Sequence, residues 1–210
     1  MPQGVTLVAV SKTHPSDAVR EVYDAGCRIF GENRPQEMSA KRLELPDDIQ
    51  WHMIGHLQTN KVKMIAPYVS MIHSVDSDRL LGIIDREAAR NNRTIDVLLE
   101  VHVADEETKS GWDPTELQRY ATGGTWRSYN NIVVRGLMTV ATQTDDHNQI
   151  EAEFRTVKTL FDELKEHFGA QFDTLSMGMT GVYPTAIGCG ATMVRIGSKI
   201  FGQRHYPTDK

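Results

Sequence analysis

Lys12 is the residue of this 210-residue chain with the clearest capacity for covalent chemistry. It follows the apolar run TLVAVS at residues 6–11, which predicts a buried strand that opens into a loop. Burial lowers the pKa of a lysine ammonium, and the neutral amine then attacks an aldehyde to form a Schiff base. A lysine at a strand end also fits a side chain that only reaches solvent. Two glycine-bearing segments near the end of the chain bear on this choice.

The two segments are SMGMTG at residues 176–181 and RIGS at residues 195–198. Their glycines let backbone N–H groups approach an anion, and the hydroxyls of Thr180 and Ser198 add hydrogen bonds. Taken singly, each segment also fits a tight turn without a ligand. The first segment follows the predicted seventh strand and the second ends the eighth, and the loops after these strands are the usual phosphate site of (β/α)₈ enzymes. Together the segments predict a phosphate site.

Short β-like runs alternate with helical patterns along the chain, and eight strands are predicted. This alternation implies a parallel sheet with right-handed crossovers. It predicts one (β/α)₈ barrel domain over residues 1–210, with a doubly wound open sheet as the alternative. Three helices have the clearest pattern, at Pro15–Ala25, Asp76–Asn91 and Asp145–Phe168. The predicted strands are Leu7–Ser11, Arg28–Gly31, Trp51–Gly55, Met71–Ser74, Val97–Val103, Val133–Val140, Thr174–Met177 and Val194–Gly197.

A barrel would collect the polar residues at its strand ends on one face, where the active sites of this fold lie. Those residues are Lys12, Asn33, His56, His102, Thr180, Arg195 and Ser198. His52 and His56 form an H-x-x-x-H pair without an adjacent HExxH glutamate, so no metal site is predicted. His102 and Glu100 share one face of the predicted fifth strand, which fits a pocket lining and a core histidine equally.

Composition narrows the class of protein. The chain is 40% hydrophobic and 24% charged with a net charge of −5, so it has no global attraction for nucleic acid or an anionic membrane. No apolar run approaches the roughly 20 residues of a membrane span, and no signal pattern opens the chain. Cys27 and Cys189 form neither a disulfide framework nor a zinc motif. We therefore expect a cytoplasmic protein.

Six motifs occur in order over nearly the whole chain. They are AVSKT at 9–13, FGEN at 30–33, WHMIGHLQTNK at 51–61, RGLM at 135–138, LSMGM at 175–179 and MVRIGS at 193–198. This combination resembles the pyridoxal phosphate homeostasis proteins, relatives of the N-terminal barrel of alanine racemase.

The resemblance implies a barrel that binds pyridoxal 5′-phosphate (PLP) in aldimine linkage to Lys12. It also implies that Arg195 meets the pyridine nitrogen, with Asn33 and His56 as nearby lining residues. A cation at that nitrogen disfavours its protonation, so the ring is a weak electron sink and carbanion chemistry is expected to be poor. By the same resemblance, the phosphate is held by Thr180, Gly197 and Ser198.

Some positions depart from the pattern of the family. Thr180 and Val182 stand where serine and aspartate are usual, which keeps a hydroxyl and loses a carboxylate that could cap the next helix. His102 replaces a common asparagine, and Pro35 is placed at the first turn of the second helix. Relatives have an additional helix before the strand that precedes Lys12, so we expect a barrel without that helix.

Two functions from different classes follow from the resemblance. In the first, the protein buffers PLP and delivers it to PLP-dependent apo-enzymes, with little or no catalysis and as a monomer. In the second it is an amino-acid racemase, which needs an acid/base group on each face of the cofactor. Lys12 would serve one face, and nothing in the sequence places Tyr183 or Tyr206 on the other. If the resemblance is set aside, a Schiff-base lysine and a phosphate site also fit a class I aldolase for sugar phosphates. A protein with bound PLP is yellow and an aldolase is not, so the colour distinguishes the two. We expect the homeostasis role.

Overall fold

Eight parallel strands close into a barrel in the computed structural model, which describes residues 1–104 and 110–202. The strands pair in chain order, and β1 pairs with β8 through Ala9 and Ile196. This last pairing confirms the predicted (β/α)₈ barrel and rules out the open sheet. The strands are β1 (Thr6–Val10), β2 (Ile29–Glu32), β3 (Gln50–Met53), β4 (Met71–Val75), β5 (Ile95–Glu100), β6 (Ile132–Met138), β7 (Thr174–Met179) and β8 (Met193–Ile196).

Helices follow the strands along the described chain and cover the outside of the barrel. Several begin where the sequence supplies a cap: Asp113 and Asp146 each accept two backbone N–H groups of the helix they precede. Pro35 is the first residue of its helix, as predicted. The helices are α1 (Ser16–Asp24), α2 (Pro35–Glu44), α3 (Val62–Ile65), α4 (Asp78–Arg90), α5 (Pro114–Gly123), α6 (His147–Phe168), α7 (Tyr183–Gly188) and α8 (Ser198–Phe201).

The fifth strand is shorter at its end than predicted. It ends at Glu100 because the chain then pairs with a later segment, where Trp112 N–H donates to the Glu100 carbonyl at 2.7 Å. His102 N–H in turn donates to the Trp112 carbonyl at 3.0 Å. Apolar residues continue past Glu100 in the sequence, so strand propensity alone does not predict where β5 ends.

The core has two layers. The larger layer lies between the strands and the helices, and the smaller one fills the inside of the barrel. The inner layer contains Val8, Met71, Leu98, Met138 and Met193. Because side chains alternate along a strand, the residue two positions after Met193 points inward as well, and that residue is Arg195. The inner surface therefore changes from apolar to polar toward the carboxyl ends of the strands.

Gly136 lets β6 and β7 approach each other. Its φ is +154°, and a Cβ there would lie 1.7 Å from the Thr174 carbonyl oxygen. Only glycine fits this contact, and Gly136 pairs with Thr174 in the sheet register. Among the described residues, no helix is both long and apolar enough to cross a bilayer.

Candidate cofactor site

Lys12 lies in a turn directly after β1 and is half-buried. Its neighbour Thr13 has a φ of +68°, in the left-handed region that side chains rarely adopt. The end of β8 lies alongside, since a Cβ added to Gly197 would lie 3.2 Å from the Val10 carbonyl oxygen. The barrel thus brings the turn of Lys12 next to the segment of Gly197 and Ser198.

Thr180 links the loops that follow β7 and β8. Its Oγ1 accepts a hydrogen bond from the Gly197 N–H at 3.2 Å. Ser198 is exposed and is the first residue of α8. The first N–H groups of a helix have no partner within the helix, and here they lie beside two hydroxyls. The three residues predicted to hold a phosphate are therefore neighbours.

Arg195 is buried inside the barrel, with 4% of its surface exposed. One terminal nitrogen, Nη1, donates to the Ser176 carbonyl at 2.9 Å and to the Ser176 Oγ at 2.7 Å, and the other donates to the Thr139 carbonyl at 2.8 Å. Burial lowers the pKa of Arg195 to about 10, a change that the nearby Glu100 carboxylate opposes. Arg195 is therefore still a cation at neutral pH, in a fixed orientation.

A chain of hydrogen bonds extends from Arg195 to two buried histidines. Ser176 Oγ accepts from Arg195 and lies 3.1 Å from His73 Nδ1. His73 Nε2 in turn lies 2.9 Å from His52 Nδ1, so the two rings share a hydrogen bond. Burial lowers the pKa of His52 to about 3, and burial together with His52 and Arg195 lowers that of His73 well below its usual value. Both rings are therefore neutral at pH 7 and are linked to Arg195 through Ser176.

A cavity of about 470 Å³ opens beside Arg195, between the loops after β6 and β7. Lys12, Asn33, Gly197 and Ser198 do not line this cavity. The loop after β7 lines the cavity through Gly178, Met179 and Gly181, whereas the residues that follow β1 and β8 lie outside the lining. Its lining consists of Thr139, Val140, Ala141, Thr142, Gln143, Thr144, Ile150, Phe154, Gly178, Met179, Gly181, Val182 and Arg195.

Glu100, at the end of β5, is a further ionisable group inside the barrel. Its carboxylate accepts from the Ser110 hydroxyl at 3.2 Å. Burial and then the nearby Asp76 carboxylate raise the pKa of Glu100 to about 7, while the Ser110 hydrogen bond and Arg195 oppose the rise. His102 is half-buried, and its Nδ1 has no hydrogen-bond partner among the described residues.

Asn33 and His56 follow β2 and β3 at the same end of the barrel. Asn33 is half-buried, and its carbonyl oxygen would lie 2.7 Å from a Cβ at Gly55, so the two loops are in contact. His56 is 60% exposed and lies 3.4 Å from the Asp76 carboxylate. His52 points into the barrel interior instead, so the H-x-x-x-H pair does not converge on one point.

The loop after β7 contains two departures from the family pattern, Thr180 and Val182. Val182 occupies the cap position of α7 and provides no side-chain cap. Tyr183 packs with its ring 4.8 Å from the Lys199 ammonium. Tyr206, the other tyrosine considered as a second acid/base group, lies outside the described residues.

The interior residues Ser176, His73 and Thr139 were not predicted from the sequence. One signal was available: Ser176 and His73 each lie on a predicted strand among apolar residues, and a buried polar side chain needs a partner. The sequence gives no means of pairing them, because the partners are up to 103 residues apart.

Comparison with known proteins identifies the family to which the chain belongs. Residues 1–205 match the family model of the alanine racemase N-terminal domain. The pyridoxal phosphate homeostasis protein of Aquifex aeolicus is 42% identical over 204 residues, which cover 95% of this chain and 87% of that protein. That of Haemophilus influenzae is 38% identical over 210 residues, 98% of this chain and 88% of that protein.

PipY of Synechococcus elongatus PCC7942 has a closely similar structure. Without PLP it superimposes with a TM-score of 0.91 at 38% identity, over 96% of this chain and 94% of PipY. With PLP bound the TM-score is 0.87 over the same shares. Alanine racemase of Streptomyces coelicolor, 19% identical with a TM-score of 0.71 over 95% of this chain and 58% of that chain, shares the fold alone. The chain is thus a member of the pyridoxal phosphate homeostasis protein family.

Proposed function

We propose that this protein binds PLP reversibly through Lys12 and takes part in PLP homeostasis. PipY, at 38% identity, has been solved with PLP bound, and that relation supports the same ligand here. Bound PLP supplies an electrophilic aldehyde and, in its enzymes, an electron sink. The residues of this chain fit such a ligand, because a fixed cation, a pair of linked loops and a lysine lie around one end of the barrel.

The observation that carries the proposal is the buried guanidinium of Arg195. Its orientation is fixed by Ser176 and Thr139, and it lies beside a cavity. We assign it to the pyridine nitrogen of PLP: the guanidinium would donate a hydrogen bond, and the unprotonated nitrogen would accept it. Thr180, Gly197 and Ser198 would hold the phosphate, and Asn33 would line the site.

Lys12 would hold the aldehyde. Its neutral amine would supply the nucleophile for condensation with the aldehyde, in which a C=N bond would replace the C=O bond and one water molecule would leave, with no change in oxidation state. Hydrolysis reverses the step and returns free PLP. This reversibility is what a buffer for a reactive aldehyde requires. We further propose a monomeric, cytoplasmic protein that passes PLP to PLP-dependent apo-enzymes.

An amino-acid racemase is the second candidate, and Glu100 is the observation that favours it. In an eight-stranded barrel, β5 lies across from β1, so Glu100 and Lys12 are at opposite sides. A carboxyl group with a pKa raised to about 7 suits proton transfer near neutral pH. Against this role, the cation at the pyridine nitrogen weakens the electron sink that racemisation needs.

Two assays on the PLP-loaded protein separate these functions. The first follows the recovery of activity when an apo-enzyme that needs PLP is mixed with the loaded protein. The second follows exchange of the α-hydrogen of D- and L-alanine. We expect transfer that is lost in Lys12→Ala, and no exchange above that of free PLP. Exchange that requires both Lys12 and Glu100, tested with Glu100→Gln, would favour the racemase and refute the proposal.

A further inference from the structure

A buried ion cluster lies behind the turn that carries Lys12. Its members are Lys41 and Glu37 of α2, Glu32 at the end of β2, and the two residues that flank Lys12, Ser11 and Thr13. We call it the Lys41 cluster. None of these residues binds the cofactor in the proposal above, and none was predicted as a site residue.

Lys41 uses all three of its donors within the cluster. Its Nζ donates to the Ser11 carbonyl at 2.8 Å, to Glu32 Oε1 at 2.7 Å and to Glu37 Oε1 at 2.7 Å. The side chain is only 7% exposed, and Glu32 is fully buried. Burying such charges costs about as much free energy as their pairing returns, so the cluster is poorly explained as a source of stability alone.

The contacts fix the chain on both sides of Lys12. Before it, Ser11 is held twice, since its carbonyl accepts from Lys41 and its hydroxyl donates to Glu32 at 2.6 Å. After it, the Thr13 N–H donates to Glu37 Oε1 at 2.6 Å. One carboxylate oxygen of Glu37 therefore joins Lys41 to the far side of the turn.

Thr13 shows that this turn needs support. Its φ of +68° is unfavourable for a β-branched residue, and such a conformation persists only where several surrounding contacts hold it. The hydrogen bond from its N–H to Glu37 is one of those contacts. Without it, we expect the turn to relax and Lys12 to sample several orientations.

We propose that Lys41 and Glu37 are positioning residues for Lys12: the cluster holds residues 11–13 in the strained turn that presents the amine at the barrel mouth. The effect on PLP rests on the function proposed above, whereas the hold on the turn does not. The group that reacts with the Lys12 amine is the aldehyde of PLP, and the reaction requires the amine to approach it in one geometry.

Glu37→Ala is the informative substitution, because Glu37 is only half-buried and its loss should be tolerated. Glu44→Ala is the matched control: it removes a carboxylate from the same helix that bonds the Ser16 hydroxyl and does not contact the turn. Glu37→Gln keeps an acceptor for the Thr13 N–H. Two quantities are measured: hydrogen exchange of the Thr13 amide in protein free of PLP, and the equilibrium constant for PLP, read from the visible spectrum with Lys12→Ala as blank.

We expect Thr13 exchange to be at least tenfold faster in Glu37→Ala and unchanged in Glu44→Ala. PLP binding should weaken roughly tenfold in Glu37→Ala, the scale of releasing one ordered residue, and Glu37→Gln should recover most of both effects. Faster exchange with unchanged PLP binding would overturn the positioning role, as would slow exchange in all three variants. If wild-type protein binds no PLP but Thr13 exchange still depends on Glu37, the proposed function fails and the hold on the turn stands.

Discussion

His52 provides a sharp test of the polar interior, because its ring is buried, neutral and tied to His73. Burial lowers the pKa of His52 from 6.5 to about 3, so the folded protein does not take up this proton in mild acid, whereas the unfolded chain does. A group with a depressed folded pKa gives stability that is present above its unfolded pKa and is lost as the pH falls. His52→Asn keeps a side chain that can hydrogen-bond to His73 and removes the titration.

The magnitude follows from the window between the two pKa values. The pH range from 6.5 to about 4.5 spans two pH units, and each unit corresponds to about 1.36 kcal/mol. The neutral His52 should therefore lower the free energy of unfolding by about 2.7 kcal/mol at about pH 4.5. Urea unfolding at about pH 8 and about pH 4.5 measures the fall for each variant. We expect the fall to be smaller in His52→Asn by about this amount, because burial, the largest cause of the lowered His73 pKa, is still present in the variant.

Met71→Leu is the control, because Met71 pairs with His52 across β3 and β4 and does not titrate. It should lower the free energy of unfolding equally at both pH values. An equal fall in wild type and His52→Asn would refute the reasoning, because His52 would then be protonated in the folded protein or open to water.

Three further predictions concern the same framework. In ¹⁵N NMR spectra, His52 and His73 should both be neutral imidazoles at about pH 6; an imidazolium form of either ring would contradict their burial. Burial raises the pKa of Glu100 from 4.5 to about 7, so folding stability should fall by up to about 3 kcal/mol as the pH rises through this window, and urea unfolding of Glu100→Gln should lack that fall. Gly136→Ala should unfold the barrel or cost more than about 3 kcal/mol, since its Cβ would lie 1.7 Å from the Thr174 carbonyl oxygen; a circular dichroism melt within a few degrees of wild type would contradict the assigned register.

The fold was predictable from the sequence because its signals are local. Alternating apolar runs and helical periodicity, with a helix start at Pro35, predicted the order of eight strands, and the end of each strand placed the candidate site residues. Lys12, Thr180 and Gly197 could be assigned to one end of the barrel for this reason. The resemblance of the six motifs to the pyridoxal phosphate homeostasis proteins predicted PLP as the ligand.

The polar interior could not be predicted, because it depends on contacts between distant strands. Ser176 and His73 are 103 residues apart, and their hydrogen bond exists only once the barrel closes. The contacts of Lys41 could not be predicted either, because helical periodicity on α2 does not show that its ammonium donates to the Ser11 carbonyl. Long-range pairing decides these contacts, and composition and spacing carry no record of it.

The central claim is the link between PLP and Lys12, and one measurement tests it directly. PLP-loaded protein is reduced with borohydride, digested and mapped by mass spectrometry, with its visible spectrum recorded before and after. The account predicts a yellow protein whose colour bleaches on reduction and whose added pyridoxyl phosphate mass lies on Lys12, with Lys12→Ala colourless. A label spread over surface lysines, or a wild-type protein that stays colourless with added PLP, would contradict it.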